Sequence, residues 1–423
     1  MIRKFKDLER LFITTLLERK WNILVILFSS IIGFLIQLAG IKNMFVSGDW
    51  IFHYSLWYQE LKENGGLLAL GIKIGDYPSG FNLLLACMTY LPFAPMMNFK
   101  LLIIVFYFIA AIAAYHITKN INKNSAQKKQ YASVAYAVVL LLPSLLLNTT
   151  IWGQVDSIWV GILLIAIYFI TKEKYGLSFL MIGVALSIKQ TTILIFPMLL
   201  LLYIRNNKIS ILHFFNILIG FIAMCLPAIV MGKSIKDVFA PYLGYRNDDI
   251  TSMVVTNFSN IYALFTPDPV WSKWVTNELF SSIGMWFCIF VIGIIALVMH
   301  YKKVDISGNN FLLAATMFIV LLCNFLPGVH DRYMILADVL SIIYVISSRR
   351  LKDIWIPAYV NFVSAFNIIN YLHGVSESVS NTRIILVQIV SILFLALSIY
   401  LVYHVVFTLV NCCKQQLTSV KTE

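Results

Sequence analysis

The chain has 423 residues, 60% of them apolar, 14% aromatic and only 12% charged, with a mean hydropathy of +0.83. A soluble domain carries roughly 45–50% apolar and ~25% charged residues, so this composition excludes a soluble enzyme, a disordered chain and a secreted disulfide scaffold. The net charge of +12 does not indicate a nucleic-acid partner, because the Lys and Arg residues are spread over short loops between apolar runs, as in the cytoplasmic loops of membrane proteins.

The N-terminal stretch MIRKFKDLERLFITTLLERKW is basic and slightly amphipathic and has no small-residue cleavage site after its first apolar run. It predicts a cytoplasmic surface helix over 1–21 that leads into a retained first span. A span needs about 20 apolar residues. Candidate spans follow near 22–41, 99–118, 131–148, 157–171, 176–188, 191–204, 209–231, 279–299, 310–327, 333–347, 354–372 and 384–410. The pair 176–188 and 191–204 is short. Segment 79–95, SGFNLLLACMTYLPFAP, is apolar but punctuated by Pro78, Pro92 and Pro95.

Charge decides the status of 79–95. If it crosses, the loop carrying Lys119, Lys123, Lys128 and Lys129 falls outside and every later basic loop is misplaced. If it dips in and returns, those residues fall inside with Lys172/Lys174, Arg205/Lys208, Lys302/Lys303, Arg349/Arg350/Lys352 and both tails. The expected fold class is therefore an all-α polytopic membrane protein of about 12 transmembrane helices, one domain over 1–423, multi-pass in the plasma membrane with both termini cytoplasmic. Its first and fourth outer loops, 42–98 and 232–278, are large, and 411–423 forms a cytoplasmic tail. The inner loops are short and lack a Gly-rich phosphate loop, so the chemistry is expected on the outer face.

Four polar constellations stand at outer boundaries. Asp49 follows Gly48 after the first span, and Asp76 precedes Tyr77-Pro78 later in the same loop. Two such carboxylates can serve as general base and as substrate or metal ligand; equally, both can be solvated loop acids, with Asp49 capping a surface helix. In NTTIWGQVDSIWVG, the residues Trp152, Gly153, Gln154, Asp156 and Ser157 interrupt two apolar runs. A charge at a span boundary tends to mark function, although Asp156 can also cap the helix expected from Ser157. Lys189-Gln190 lies between two half-spans with no acidic neighbour in sequence, which suits a phosphate at membrane depth or a snorkelling end residue. His330, Asp331, Arg332 and Tyr333 form the fourth group, in which Arg332 offers a planar fork for phosphate oxygens or a local ion pair with Asp331.

Weaker signals complete the reading. Asn257, Asn260 and Tyr262 in the large outer loop fit packing better than binding. The remaining histidines show no metal-ligand spacing, and Cys412-Cys413 reads as an acylation site or as ordinary thiols. Metal dependence stays open, with Mg or Mn suited to the acids Asp49, Asp76 and Asp156.

WGQVDSIW, followed by SIKQ and later by GVHDRY, resembles the membrane glycosyltransferases of the GT-C superfamily. The similarity is to bacterial mannosyltransferase-like proteins related to the second mannosyltransferase of GPI-anchor synthesis. The glucosyltransferases that use dolichyl-phosphate glucose have a similar Trp-Gly-Gln-x-Asp-Ser segment. The SGD and DYP elements of the first outer loop look like that group's, and together the motifs cover about residues 47–333 in order.

The resemblance implies inverting transfer of a hexose of mannose or glucose type from a polyprenyl-phosphate sugar to an envelope glycan, glycolipid or protein acceptor. By motif, Asp49 matches the first-loop base and Asp76 the later loop acid. Gln154 and Asp156 match the second outer loop, and Lys189, His330 and Arg332 match positions near the donor phosphate, supported by Trp152, Tyr77, Asn257, Asn260 and Tyr333. Relatives often have Lys-Pro-Gln at Lys189-Gln190, His-Glu-Arg-Tyr at residues 330–333 and Pro-Pro at Pro78-Ser79. The rival classes are a transporter or flippase of lipid-linked saccharides, which would show internal repeats, an outer-face polymerase or ligase, and a non-catalytic subunit.

Overall fold

The structure is a computed structural model that describes residues 2–41, 48–242, 254–266, 278–374 and 380–408. Ser47 of the first-loop motif, part of the large outer loop and the tail with Cys412-Cys413 lie outside the described residues. Among the described residues the fold is all helical; the one extended pairing is an isolated bridge between Thr256 and His330.

Helix α1 runs unbroken from Ile2 to Ala39, so the expected surface helix and the first span are one element. A π-helical turn, Trp50–Tyr54, leads into α2 (Ser55–Glu63), and α3 (Ser79–Met88) follows after a loop. Then come α4 (Pro95–Ile121), α5 (Lys128–Leu140) and the short α6 (Pro143–Leu146), which continues as a π-helical turn to Trp152. Pro143 cannot donate within a helix, and the axis bends by 44° across this break. Helices α7 (Asp156–Thr171), α8 (Tyr175–Ile188), α9 (Phe196–Arg205) and α10 (Leu212–Val230) complete the first half, with the small α11 (Ile235–Phe239) beyond. The second half holds α12 (Glu278–Tyr301), α13 (Asn309–Phe325), α14 (Ile335–Ser348), α15 (Trp355–Gly374) and α16 (Asn381–Tyr403).

The apolar segments marked in the sequence are largely helical among the described residues, but 79–95 is helical only over Ser79–Met88 before α4 starts at Pro95. Among the described residues five helices are long and apolar enough to cross a bilayer, or six if the bent pair around Pro143 counts as one span. The others are shorter or less apolar. Ten-residue α3 is about 15 Å long at 1.5 Å per residue, half of a ~30 Å hydrocarbon core, and it packs against α10, α8 and α4 instead of continuing through.

Burial sorts the helices into layers. α13 is buried on nearly every side from Phe311 to Phe325, and α7 and α14 are similarly enclosed. In contrast α1, α10, α12 and α16 present large apolar side chains outward, among them Phe28, Phe215, Trp286, Phe290 and Ile392. Such an apolar rim around a buried centre is what a bilayer solvent selects. α8 and α10 cross where Gly183 and Gly220 face each other's backbone: a Cβ on Gly183 would lie 2.0 Å from the Ile217 carbonyl oxygen, and one on Gly220 2.1 Å from that of Leu180. Small residues are what permit this approach.

Side-chain contacts gather the helix ends in two places. At one end stand the basic loops. There Arg205 Nη1 donates to the His300 carbonyl at 3.1 Å, Arg349 Nη2 to Asn122 Oδ1 at 3.2 Å, and Asn120 Nδ2 to the Thr171 carbonyl at 2.7 Å. At the other end the first-loop helices α2 and α3 cover the turns that carry the polar motifs.

Candidate active site

The turn Trp152–Asp156 is built by local geometry. The π-helical turn ends at Gly153, whose φ of 77° is in the left-handed region that favours glycine. The chain then reverses, Gln154 N–H donating to the Asn148 carbonyl at 2.9 Å, and α7 begins at Asp156. Two deeper side chains hold the turn from behind. Gln37 Nε2 of α1 donates to Thr149 Oγ1 at 2.7 Å, and the fully buried Lys100 of α4 donates to the Thr149 carbonyl. That carbonyl is one that a regular α-helix would have used.

Asp49 meets this turn across the first loop. Its Oδ2 accepts from Trp152 Nε1 at 2.5 Å and from Gln154 Nε2 at 2.7 Å. It occupies the N-cap position of the following π-helical turn but makes no side-chain cap bond, so the capping alternative does not describe it. Tyr54 OH donates to Gln154 Oε1 at 2.9 Å and lies 3.0 Å from Tyr77 OH, tying the two parts of the first loop to the motif. Trp152 is stacked at 4.3 Å on Tyr371 of α15, and the Arg332 guanidinium lies 4.9 Å from its ring centre.

Asp156 is the electrostatic centre. Its carboxylate has no exposed surface and accepts from Asn148 Nδ2 at 2.9 Å, Trp159 Nε1 at 2.8 Å and Lys189 Nζ at 2.5 Å. Trp159 and Lys189 share Oδ1, while Arg332 Nε stands 3.5 Å from Oδ2, the oxygen that accepts from Asn148. The helix-capping alternative does not describe Asp156: the cap of α7 is Val155, Asp156 is the first residue of the helix, and the Asp156 carboxylate accepts from the Asn148, Trp159 and Lys189 side chains. Lys189, which has no acidic neighbour in sequence, finds one in space, because the antiparallel α7 and α8 bring the start of one beside the end of the other. The turn at Lys189 forms without the relatives' proline: Lys189 is extended (φ −152°, ψ 132°) and a 3-10 turn over Gln190–Ile195 follows.

Asp331 joins the group from the turn between α13 and α14. Burial pushes its carboxyl up to about 8; Arg332, at 3.4 Å, pulls the other way, while the negative charges of Asp49 and Asp156 add to the rise. At neutral pH it is therefore largely protonated. The 3.4 and 3.5 Å separations leave Arg332 weakly hydrogen bonded for a buried guanidinium.

A cavity of about 340 Å³ opens beside these groups, lined by Asp49, Asp76, Tyr77, Lys189, His330, Arg332 and Tyr333 from the residues read in sequence. Trp57, His53 and Pro241, which the sequence did not single out, also line it. Asn257 and Asn260 do not. Asn260 accepts from the backbone of Tyr262 and Ala263 as the cap of a 3-10 turn, and Asn257 is buried with a φ of 54°. This segment supports the site indirectly: Thr256 pairs with His330, and Gly328 N–H donates to the Val254 carbonyl at 3.0 Å. No group of three potential metal ligands from His, Cys, Asp and Glu occurs among the described residues. The cavity offers a hard divalent cation two carboxylates, Asp49 and Asp76.

Fold and site together define a helical membrane protein with a pocket of juxtaposed carboxylates, cations and aromatic rings at one end of the bundle. The family model for glycosyltransferase family 87 matches residues 76–327, and the chain belongs to that family, in agreement with the GT-C resemblance. No curated protein matches the chain. The matched stretch includes Asp76, the Trp152–Asp156 turn and Lys189; Asp49 and Arg332 lie beyond its ends but in the same pocket.

Proposed function

We propose that the protein transfers a hexose, of mannose or glucose type, from a polyprenyl-phosphate sugar to a glycan, glycolipid or protein acceptor, with inversion, at the outer face of the plasma membrane. The observation that carries this reading is the meeting of Asp49 with Lys189, His330 and Arg332 around one cavity. Membership of a glycosyltransferase family favours transfer over transport or flipping.

The residues divide the chemistry between them. Both hydrogen bonds to Asp49 fall on Oδ2, which fixes the carboxylate and leaves Oδ1 to take the acceptor's hydroxyl proton. The acceptor oxygen forms its bond to the anomeric carbon from the side opposite the phosphate. The carbon–oxygen bond to phosphate breaks with its electron pair leaving on the phosphate, where Arg332, Lys189 and His330 meet the growing charge. Asp156 acts at one remove, holding Lys189 and Arg332 in place before the donor arrives. Trp57 and Tyr77, whose ring centres lie 5.1 Å apart in the cavity wall, provide apolar faces for a sugar ring.

The basic loops gathered at the opposite end support a cytoplasmic position for that end under the positive-inside rule. A lipid phosphate arriving sideways from the bilayer reaches the cavity; a nucleotide sugar made in the cytosol does not. The test is reconstituted protein offered radiolabelled sugar as the lipid phosphate or as the nucleotide diphosphate, with no other enzyme present. Transfer from the lipid form is expected, and transfer from the nucleotide form alone overturns the donor assignment.

A further inference from the structure

A second charged pocket lies at the end of the bundle opposite the catalytic cavity. It encloses about 170 Å³ between the last turns of α4 and α7 and the start of α5, and is lined by Lys119, Lys123, Lys128, Lys172, His116 and Tyr168, with Asn120. Asn120 Nδ2 donates to the Thr171 carbonyl at 2.7 Å and to Thr171 Oγ1 at 3.1 Å, clipping α4 and α7 together beside the pocket.

The pocket gathers cations without a matching anion in its lining. Lys119 and Lys172 lie 5.7 and 5.8 Å from the rings of Tyr115 and Tyr168, each on its own helix. Lys128 donates to the Lys123 carbonyl at 3.0 Å. The acid next to Lys172 in the chain, Glu173, lies outside the lining; it feels the charge of Lys123 but is engaged at 2.5 Å by Lys208. Like charges this close repel, and the arrangement is favourable when an anion sits among them.

The anion has a natural source. From this pocket a lane of outward-facing residues, Val105, Ile112 and His116, runs up α4 at spacings of seven and four, which place them on one helix face. Val105 is 53% exposed and Ile112 47%. The charged pocket is thus continuous with an apolar face on a helix long enough to cross the bilayer.

We propose that this pocket binds the phosphate headgroup of an anionic phospholipid of the basic-end leaflet, with an acyl chain lying along α4. The ligand chemistry is a phosphodiester bearing one negative charge. The lane on α4 favours a lipid over a soluble phosphate, since a free ion would gain nothing from it. Basic pockets between membrane helices on the cytoplasmic side are suited to such headgroups.

Native mass spectrometry of the full chain in mild detergent tests this, with phosphatidylglycerol, phosphatidylcholine and inorganic phosphate as the probes. Wild-type protein is expected to retain one phosphatidylglycerol about tenfold or more in preference to phosphatidylcholine, and millimolar phosphate should not displace it. Lys119→Gln with Lys172→Gln should weaken phosphatidylglycerol binding about tenfold to thirtyfold. Lys119→Arg with Lys172→Arg should keep it, as should Lys302→Gln with Lys303→Gln elsewhere at the same end. If the first pair does not give monodisperse protein, Lys123→Gln with Lys128→Gln replaces it with the same expectation. Equal retention of the two lipids, or unchanged binding in the Gln variants, overturns the proposal. Displacement by inorganic phosphate overturns the lipid assignment in favour of a soluble anion.

Discussion

Asp156→Asn removes one charge from the centre of the site while keeping the side chain's shape. In the native protein this carboxylate is fully buried and takes three hydrogen bonds, and two cations face it at 2.5 and 3.5 Å. Arg332 keeps Asp331 as a neighbour, but Lys189 loses its ion-pair partner. Breaking a buried pair by deleting one member costs about 3–5 kcal/mol, because the remaining charge is left without compensation. For a chain of this size that corresponds to roughly a 3–6 °C fall in Tm, by scaling the unfolding entropy per residue. The assay is thermal unfolding in one detergent at one scan rate, with Lys189→Met and the double variant alongside. If the loss comes from the orphaned cation, the double variant recovers much of it, with a coupling of ~1.5–3 kcal/mol between the two sites. A Tm unchanged in Asp156→Asn, or strictly additive effects in the double variant, would refute Asp156 as the anchor of Lys189.

Three further outcomes are expected. The Asp331 carboxyl is held up at about 8, chiefly by burial, so the folded protein keeps a proton that the unfolded chain loses near pH 4. Stability from this group is therefore full below about pH 4 and falls as pH rises to about 8; Asp331→Asn should flatten that part of a Tm-against-pH curve, and an unaltered slope would count against it. Lys100 is buried with no ion-pair partner among the described residues and donates to the Thr149 carbonyl. Lys100→Met should hold or raise the Tm, since a buried cation is removed, yet lower transfer about tenfold because the Trp152–Asp156 turn loses its support; normal transfer would show that the turn does not need it. On a cysteine-free background, cysteines at positions 128 and 350 should label only from the cytoplasmic side and one at position 76 only from outside, whereas outside labelling of position 128 would reverse the orientation.

What the sequence made legible is what stands out against an apolar chain. Asp49, Trp152, Gln154, Asp156, Lys189 and Arg332 are each costly or unusual at a span boundary, and the structure brings all six together. Their pairing was not legible, since it depends on antiparallel helices placing Asp156 beside Lys189, 33 residues away. Nor were Tyr54, Asn148, Trp159 and Tyr371, because an aromatic or amide in an apolar run looks the same whether it packs or holds a carboxylate. Asn257 and Asn260 pack without lining the cavity, and their segment contributes by bracing the backbone at His330 through the Thr256 bridge. The unbroken α1 was hidden as well, because a change from basic to apolar composition marks where a helix meets lipid and not where it ends.

The central claim is that Asp49 takes the acceptor's proton during transfer from a lipid phosphate. Single-turnover transfer by wild type and Asp49→Asn, in vesicles preloaded with radiolabelled polyprenyl-phosphate sugar, tests it most directly. The amide oxygen of Asn can still accept from Trp152 and Gln154, so donor retention and Tm should stay at wild-type values. The transfer rate is expected to fall by ~10²–10⁴, the usual contribution of a positioned general base. A variant that keeps more than about a tenth of the wild-type rate would contradict the assignment and move the base to Asp76, the other carboxylate that lines the cavity.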